Sequence, residues 1–175
     1  MSLLSPNGQL FIAIQERLKD KLGTILKWID QNFGQLDIDA TRPPVNFPCA
    51  LIDLTGFSFE DYPNGKQKAN GRLVISLSTA PFSYSNAVTP MPQREKALEY
   101  YEIEHSIHKA LHNWIPVPGM EKLLRRTMDK QEREDSLRER VLVFECGYTD
   151  CGAEPVTTKI ARTEPIIGGD VLLPT

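Results

Sequence analysis

Apolar side chains recur at helical spacing in two parts of the chain, which predicts two amphipathic helices. The first is predicted over residues 6–22, with Ser5 as its N-cap and Gly23 as its stop. The second is predicted over residues 93–114, ahead of two prolines. Its buried face is expected to consist of Tyr100, Ile103, Ile107, Ala110, Leu111 and Trp114.

Five other stretches are rich in β-forming residues or alternate between apolar and polar side chains. They predict strands over residues 24–30, 48–55, 71–80, 121–129 and 138–148. The run at 48–55 is nearly all apolar, so both of its faces are expected to be covered. In the run at 71–80, polar Arg72, Ser76 and Ser78 alternate with apolar residues, so one face is expected to be wet.

Polar segments lie between these predicted elements. Residues 60–70 contain Pro63-Asn64-Gly65 and are expected to form the loop between two strands. The charged run KQEREDS, residues 130–136, is expected to be a second hairpin loop. The element order predicts an α+β fold, with an antiparallel or mixed sheet of four to five strands and two helices packed on one face. We expect a single domain over residues 1–151 and an extended C-terminal arm over residues 152–175.

The composition is that of a globular domain. The 175 residues are 41% hydrophobic and 25% charged, and the net charge of -3 gives no basic field for nucleic acid. The N-terminal residues lack the pattern of a signal peptide, and no apolar run reaches the roughly 20 residues that span a bilayer. The three cysteines are an odd number and are expected to be reduced thiols. We therefore expect a protein that is not secreted and has no membrane partner.

Three histidines, His105, His108 and His112, fall within one sector of the second predicted helix, opposite its apolar stripe. Imidazoles one turn apart can share a zinc ion, which would support a metal-dependent enzyme. The other interpretation is a solvated or interface-facing stripe. Because Glu102 lies off to the side and the HExxH pattern is absent, we expect no metal ligand here.

The remaining reactive residues do not form a catalytic set. Cys146 and Cys151 do not make a CxxC pair, so the first is expected to be a small core residue and the second a loop thiol. The sequence has neither a phosphate-binding glycine loop nor a GxSxG elbow. The sequence thus predicts no catalytic residue, no cofactor and no metal, and we expect a protein that is not an enzyme.

The layout resembles the tail terminator and minor tail proteins of long-tailed bacteriophages over about residues 8–151. The resemblance lies in the order of elements and in soft patterns. It is carried by the N-terminal helix leading into Leu26–Asp30, the strand Phe47–Asp53, the helix Tyr100–Trp114, and the closing strand Arg140–Glu145 with Tyr148 and Asp150. The long segment after Asp150 departs from the pattern of that group.

The resemblance implies a structural subunit of a phage or prophage tail. It implies a homo-oligomer, a hexameric ring that terminates the tail tube and binds tail-tube and head-connector proteins. Nucleic acid would only pass through the ring, and the protein would be found in the virion or, during assembly, in the host cytoplasm. The ring contacts would come from the hairpin loops and the second helix, with Leu98, Tyr101, His105, His108, His112, Lys66, Lys68 and Arg133 as interface candidates.

Other functions stay open from the sequence. Within a tail, the chain could serve in the tube, in completion or in a connector rather than as the terminator. Outside a tail, the alternatives are a metal-dependent enzyme on the histidine face and a small regulatory module that binds a partner protein.

Overall fold

The protein is a three-helix, five-stranded α/β structure in the part of the chain that the computed structural model describes, residues 4–36, 45–80, 84–133 and 137–153. The sheet has the order β1-β2-β3-β5-β4; β1 is parallel to β2, and the other pairs are antiparallel. The predicted mixed sheet is confirmed, with a third helix in addition. The elements are α1 Pro6–Leu22, β1 Trp28–Gln31, β2 Cys49–Tyr62, β3 Lys66–Thr79, α2 Met91–Ala97, α3 Glu99–Leu111, β4 Leu124–Gln131 and β5 Arg138–Asp150.

Helix α1 begins and ends where the sequence predicts. The Ser5 hydroxyl accepts a hydrogen bond from the Gly8 amide, which satisfies one of the free amides of the first turn. At the other end, the Gly23 amide donates to the Lys19 carbonyl and closes the last turn. The predicted stripe is buried at Leu10, Ile14, Leu18 and Leu22.

Helices α1 and α3 pack side by side on one face of the sheet. Of the predicted buried face of α3, four residues are buried, and Tyr100 and Trp114 are half-buried. Arg17 of α1 joins the two helices, because its Nε donates to the Ala110 carbonyl and its guanidinium lies over the Trp114 ring. The sheet contributes Ala50, Ile52, Leu73, Ile75, Leu77, Leu142, Phe144 and Cys146 to this core.

The hairpin of β2 and β3 is much longer than predicted, and the expected loop over residues 60–70 is wrong. The turn itself is confirmed, since Asn64 and Gly65 adopt left-handed φ angles of 67° and 73°. The polar residues around it are strand residues because β5 pairs with the far half of β3, up to Gln67 opposite Asp150. Strand pairing with a distant segment here overrides a loop-like composition.

Strand β1 is shorter than the predicted strand over residues 24–30. Residues 23–25 form a turn, and β1 pairs only with Cys49–Ile52 of β2. The Asn32 amide donates one more bond to the Ile52 carbonyl. Beyond that point, β2 has no strand on its outer side within the described residues.

The second face of the sheet was expected to be wet at Arg72, Ser76 and Ser78; it is exposed at Arg72, as expected, but covered at the two serines. Ser76 and Ser78 are buried, as are Cys49 and Leu51 beside them on β2. The predicted exposure of the two serines is wrong because segments far away in the chain pack over these strands. The covering residues are Trp28, Leu36, Val45 and Phe47, together with the Arg133–Glu139 ion pair.

The single helix predicted over residues 93–114 is two helices. The break lies at Leu98, whose φ and ψ of -102° and 2° are not helical. The Ala97 carbonyl accepts a hydrogen bond from Arg138 on β5, so a distant side chain stabilises the break. Helix α3 then ends at Leu111, with His112 extended.

The last two strands lie close to their predicted positions, and Leu142, Phe144, Cys146 and Tyr148 share a buried face as expected. The predicted hairpin loop starts too early, since Lys130 and Gln131 belong to β4. Residues 134–136 of that loop, 37–44 and 81–83 of two connections, and 154–175 of the expected arm lie outside the described residues. No helix in the described part of the chain is long and apolar enough to span a membrane.

Candidate functional site

The far half of the β2–β3 hairpin carries aromatic side chains away from the helices. Phe59 is 52% exposed and Tyr62 is 47% exposed. Phe57 anchors this half, because its ring centroid lies 5.8 Å from that of Tyr148 on β5. Gly71 makes room for it: a Cβ there would lie 2.5 Å from the Phe57 ring. The hairpin is therefore a packed extension of the sheet that presents two aromatic rings to solvent.

The outer side of β2 along this extension is acidic. Residues 53–62 contain Asp53, Glu60 and Asp61 and no lysine or arginine. Glu60 and Asp61 are exposed. Since β1 ends at Gln31, opposite Ile52, the backbone groups of this stretch form an open strand edge within the described residues. We call residues 53–62 the acidic edge.

The opposite end of the sheet is a second open edge of different character. Strand β4 is half-buried at Leu124 and Arg125 and exposed from Arg126 onward. It contains three cationic residues and a single acid, Asp129. Arg126 forms an ion pair with Glu145 of β5. We call β4 the basic edge, and it has no strand on its outer side in the described part of the chain.

The histidine sector of α3 faces away from the core, as predicted. His105 and His112 are exposed, and His108 is half-buried between them. The ring centroids lie 6.2 Å apart for His105 and His108, and 4.8 Å apart for His108 and His112. The Nδ1 atom of His112 accepts a hydrogen bond of 3.1 Å from the Arg125 amide of β4. The three rings thus form a row that reaches the basic edge.

His108 is the electrostatically perturbed member of the row. Burial of its ring lowers its pKa from the ordinary value, and the neighbouring Arg125, His112 and His105 lower that pKa further. Its Nδ1 atom is buried and has no hydrogen-bond partner among the described residues. These surroundings favour the neutral imidazole.

The geometry opposes metal binding by the row. A neutral imidazole has one donor and one acceptor nitrogen, so a Nδ1 that accepts from Arg125 leaves the proton of His112 on Nε2. Metal binding at Nε2 would require the proton to move to Nδ1, and the hydrogen bond from the Arg125 amide would then be lost. Within the described ranges, no group of three or more His, Cys, Asp or Glu residues could hold a metal ion.

The thiols of Cys49 and Cys146 lack the activation that a nucleophile needs. Burial raises the pKa of Cys49 to about 11 and that of Cys146 to about 12. Both are core residues, as expected for Cys146, and Cys151 is exposed outside the strands, as expected for a loop thiol. Neither of the two buried thiols is therefore a candidate nucleophile.

The first turn of α3 lines a cavity of about 530 Å³ beside the end of β4 and the start of β5. Leu98 and Tyr101, two interface candidates, are exposed near it. Burial, followed by a hydrogen bond with Tyr101, raises the pKa of Tyr100 to about 12. The guanidiniums of Arg138 and Arg140 lie over the two tyrosine rings. Arg138 also donates a hydrogen bond to the Ala97 carbonyl and Arg140 to the Glu104 carboxylate, so both arginines are engaged within the subunit.

The remaining interface candidates lie apart from the histidine row. Lys66 and Lys68 are half-buried on β3, and the Lys68 ammonium lies 3.0 Å from Glu121, whose carboxylate raises the pKa of that lysine. Arg133 is only 10% exposed and forms an ion pair with Glu139, which is 7% exposed. It also donates to the Leu36 carbonyl. Arg133 therefore holds the monomer together, and we leave it out of the proposed interface.

Two features were missed in the sequence: the acidic edge with its aromatic residues, and the basic edge. The alternation of Phe57 and Phe59 in residues 53–62 was a strand signal that extended past the predicted end of β2. Nothing in the sequence indicated that β1 would stop at Gln31, opposite Ile52, or that β4 would lie at the margin of the sheet.

Known proteins show only distant likeness to this chain. No protein-family model matches the chain, and no curated protein sequence matches it. A chain in a solved structure described as the virion of a native gene transfer agent particle is similar over 82% of this chain and 97% of its own length. The identity is 16% and the TM-score is 0.48. A likeness of this size carries no conclusion about function.

Proposed function

We propose that the chain is an assembly subunit of a long-tailed phage or prophage, which forms a closed ring that terminates the tail tube and joins it to the head-side connector. The observation that carries the proposal is the presence of two open, unlike and oppositely charged edges on a single sheet. The acidic edge lies on the part of β2 that extends beyond β1, and the basic edge lies on β4, on the opposite side of the sheet.

A ring needs this kind of asymmetry. Subunits in a closed ring make head-to-tail contacts, so each must carry two different surfaces that fit one another. Open strand edges invite pairing with another chain, and proteins that stay monomeric usually cover or blunt them. Pairing the acidic edge of one subunit with the basic edge of the next would satisfy the free backbone groups of both.

Side chains support the same pairing. The acidic edge has no cationic residue, whereas β4 has Arg125, Arg126 and Lys130. Opposite charges across an interface speed association and fix its register. The exposed rings of Phe59 and Tyr62 add apolar area, and aromatic residues are enriched in protein interfaces. The proposed contact thus combines backbone, charge and apolar complementarity.

The finer parts of the proposal, a hexamer and the terminator role, rest on the resemblance of the sequence to tail terminator proteins. In this role the partners of the chain would be tail-tube and head-connector proteins, and nucleic acid would pass through the ring. The metal-dependent alternative lacks support, because His112 is already engaged through Nδ1. No specific observation favours a regulatory binding module.

The role is tested by deleting the gene in the phage or prophage that encodes the chain and imaging the resulting particles by negative-stain electron microscopy. We expect unjoined heads together with tails of uncontrolled length, and rescue by the wild-type gene supplied in trans. Gold-labelled antibody should mark the head-proximal end of complete tails. Normal particles after deletion, with no label on wild-type virions, would overturn the proposal.

A further inference from the structure

The end of α3 and the start of β4 are held together by three hydrogen bonds. Two are backbone bonds, from the Asn113 amide to the Leu123 carbonyl at 2.7 Å and from the Leu123 amide to the Trp114 carbonyl at 2.9 Å. The third uses a side chain: the Arg125 amide donates to His112 Nδ1 at 3.1 Å. This last bond satisfies an amide on the outer side of β4, where no strand follows among the described residues.

The acceptor in this bond exists in only one protonation state. A neutral imidazole accepts through the nitrogen that lacks a proton, whereas a protonated imidazole carries hydrogen on both nitrogens. Histidine is the side chain that changes charge between about pH 5 and pH 8. Protonation of His112 would set an N–H group against the Arg125 N–H group, and the bond would be lost.

The surroundings of the histidine row are cationic. The charged groups that act on His108 are Arg125 of β4 and the imidazoles of His105 and His112, all of which are cationic or become so in acid. Arg17 of α1 adds a further cation near the last turn of α3.

We propose that His112 is a proton-sensitive clasp between α3 and β4. With a neutral ring it fixes the first residues of β4 in register; with a protonated ring it releases the Arg125 amide and loosens the start of the basic edge. The clasp is a property of the single subunit, so this proposal does not depend on whether the chain assembles into a ring. If the ring also forms, its basic edge becomes less ordered in acid.

Amide hydrogen exchange followed by NMR tests the clasp on the full chain. We expect the protection of the Arg125 amide to fall about five-fold between pH 7.5 and pH 5.5, after correction for the intrinsic rate, as expected for one hydrogen bond. Amides in the middle of β5 should keep their protection. The nitrogen shifts of His112 should show a proton on Nε2 at the higher pH.

Two substitutions of His112 distinguish the loss of the hydrogen-bond acceptor from the protonation of the ring. His112→Asn places an amide oxygen where Nδ1 lies and does not titrate, so Arg125 should stay protected at both pH values. His112→Gln moves its oxygen one bond farther out, so protection should be low at both. His105→Gln, at an exposed neighbour, should behave as the wild type. Unchanged protection of Arg125 in the wild type, or an equal fall in His112→Asn, would overturn the proposal.

Discussion

Arg140 of β5 and Glu104 of α3 form an ion pair between the sheet and the helix layer. The Nε atom of Arg140 donates to a carboxylate oxygen of Glu104 at 2.6 Å, and the side chains are 16% and 7% exposed. The Arg140 guanidinium also lies over the Tyr101 ring, 5.8 Å from its centroid. The pair therefore fixes the position of α3 on the strand beside the basic edge.

Removing one partner of this pair should be costly. Glu104→Gln leaves the guanidinium with a weaker acceptor in a buried place, and we expect the free energy of unfolding to fall by about 3 kcal/mol. Urea unfolding followed by circular dichroism measures it. The double variant Glu104→Leu with Arg140→Met should recover most of the loss, because no buried charge remains.

A matched control is the exposed pair of Glu16 and Lys19 on α1. Glu16→Gln should change the free energy of unfolding by less than about 0.5 kcal/mol, as for most surface pairs. If Glu104→Gln lowers the free energy of unfolding as little as this control does, the pair of Arg140 and Glu104 does not hold α3 on the sheet.

Gly71 and Phe57 should be energetically coupled. Gly71→Ala places a methyl group against the Phe57 ring and should destabilise the hairpin by about 2 kcal/mol, through overpacking. In a Phe57→Ala background the same substitution should cost much less. Thermal unfolding of the four proteins in this cycle gives the coupling, and additive effects would show that the ring does not rest on Gly71.

Gly8→Ala provides the control for this cycle. A Cβ at Gly8 comes no closer than 3.4 Å to a neighbour, and alanine is a better helix former than glycine. We expect the thermal midpoint to stay the same or rise.

The three cysteines should differ sharply in reactivity. At pH 8 the raised pKa of Cys49 and Cys146, together with their burial, should keep both thiols unreactive in the folded protein. Cys151 is exposed and should react with a thiol reagent within minutes. Titration should count a single thiol before denaturation and all three after it. Cys151→Ser should abolish the native signal; a remaining fast thiol would contradict the burial of the other two.

Mild acid should destabilise the protein through His108. Its pKa is lowered in the folded state, so the unfolded state binds more protons between that pKa and the ordinary value of 6.5. The stabilising effect of the neutral ring is therefore complete above about pH 6.5 and is lost as the pH falls through this window.

Urea unfolding at pH 7.5 and pH 5.5 measures this loss. His108→Leu should reduce the dependence of stability on pH, because no imidazole remains to be protonated there. Arg125→Met should also reduce it, since it removes a cation beside the ring while keeping the backbone amide. An unaltered pH dependence in both variants would show that His108 does not cause the effect.

Sequence patterns correctly predicted the elements that are determined by residues close to one another in the chain. The leucine and isoleucine stripe, Ser5 and Gly23 located α1, and Pro63-Asn64-Gly65 located the hairpin turn. Distant partners decided the rest. The length of β3 depends on β5, and the break after Ala97 depends on Arg138, 41 residues away. Burial of Ser76 and Ser78 depends on segments far away in the chain.

The candidate site divides in the same way. The outward direction of the histidine row follows from helical spacing and was predicted. The bond of His112 to the Arg125 amide depends on how β4 docks beside α3, and no residue pattern encodes it. The two open edges depend on the strand order, which places β4 at the margin, and on the length of β1, which ends at Gln31 opposite Ile52.

Charge reversal at the two edges tests the ring contact itself. In the first variant, Glu60→Lys and Asp61→Lys make the acidic edge cationic; in the second, Arg125→Glu and Lys130→Glu make the basic edge anionic. Each variant then has two edges of like charge, which should repel across a head-to-tail contact. Mixing restores opposite charges at every contact. Circular dichroism should show that both variants fold like the wild type.

The most direct measurement is sedimentation velocity of the wild type, of each charge-reversed variant, and of the two variants mixed in equal amounts. We predict a closed oligomer for the wild type, smaller species for each variant alone, and recovery of the oligomer in the mixture, with both chains in alternation. A wild type that stays monomeric at all concentrations, or variants that each assemble as the wild type does, would contradict head-to-tail assembly through these edges.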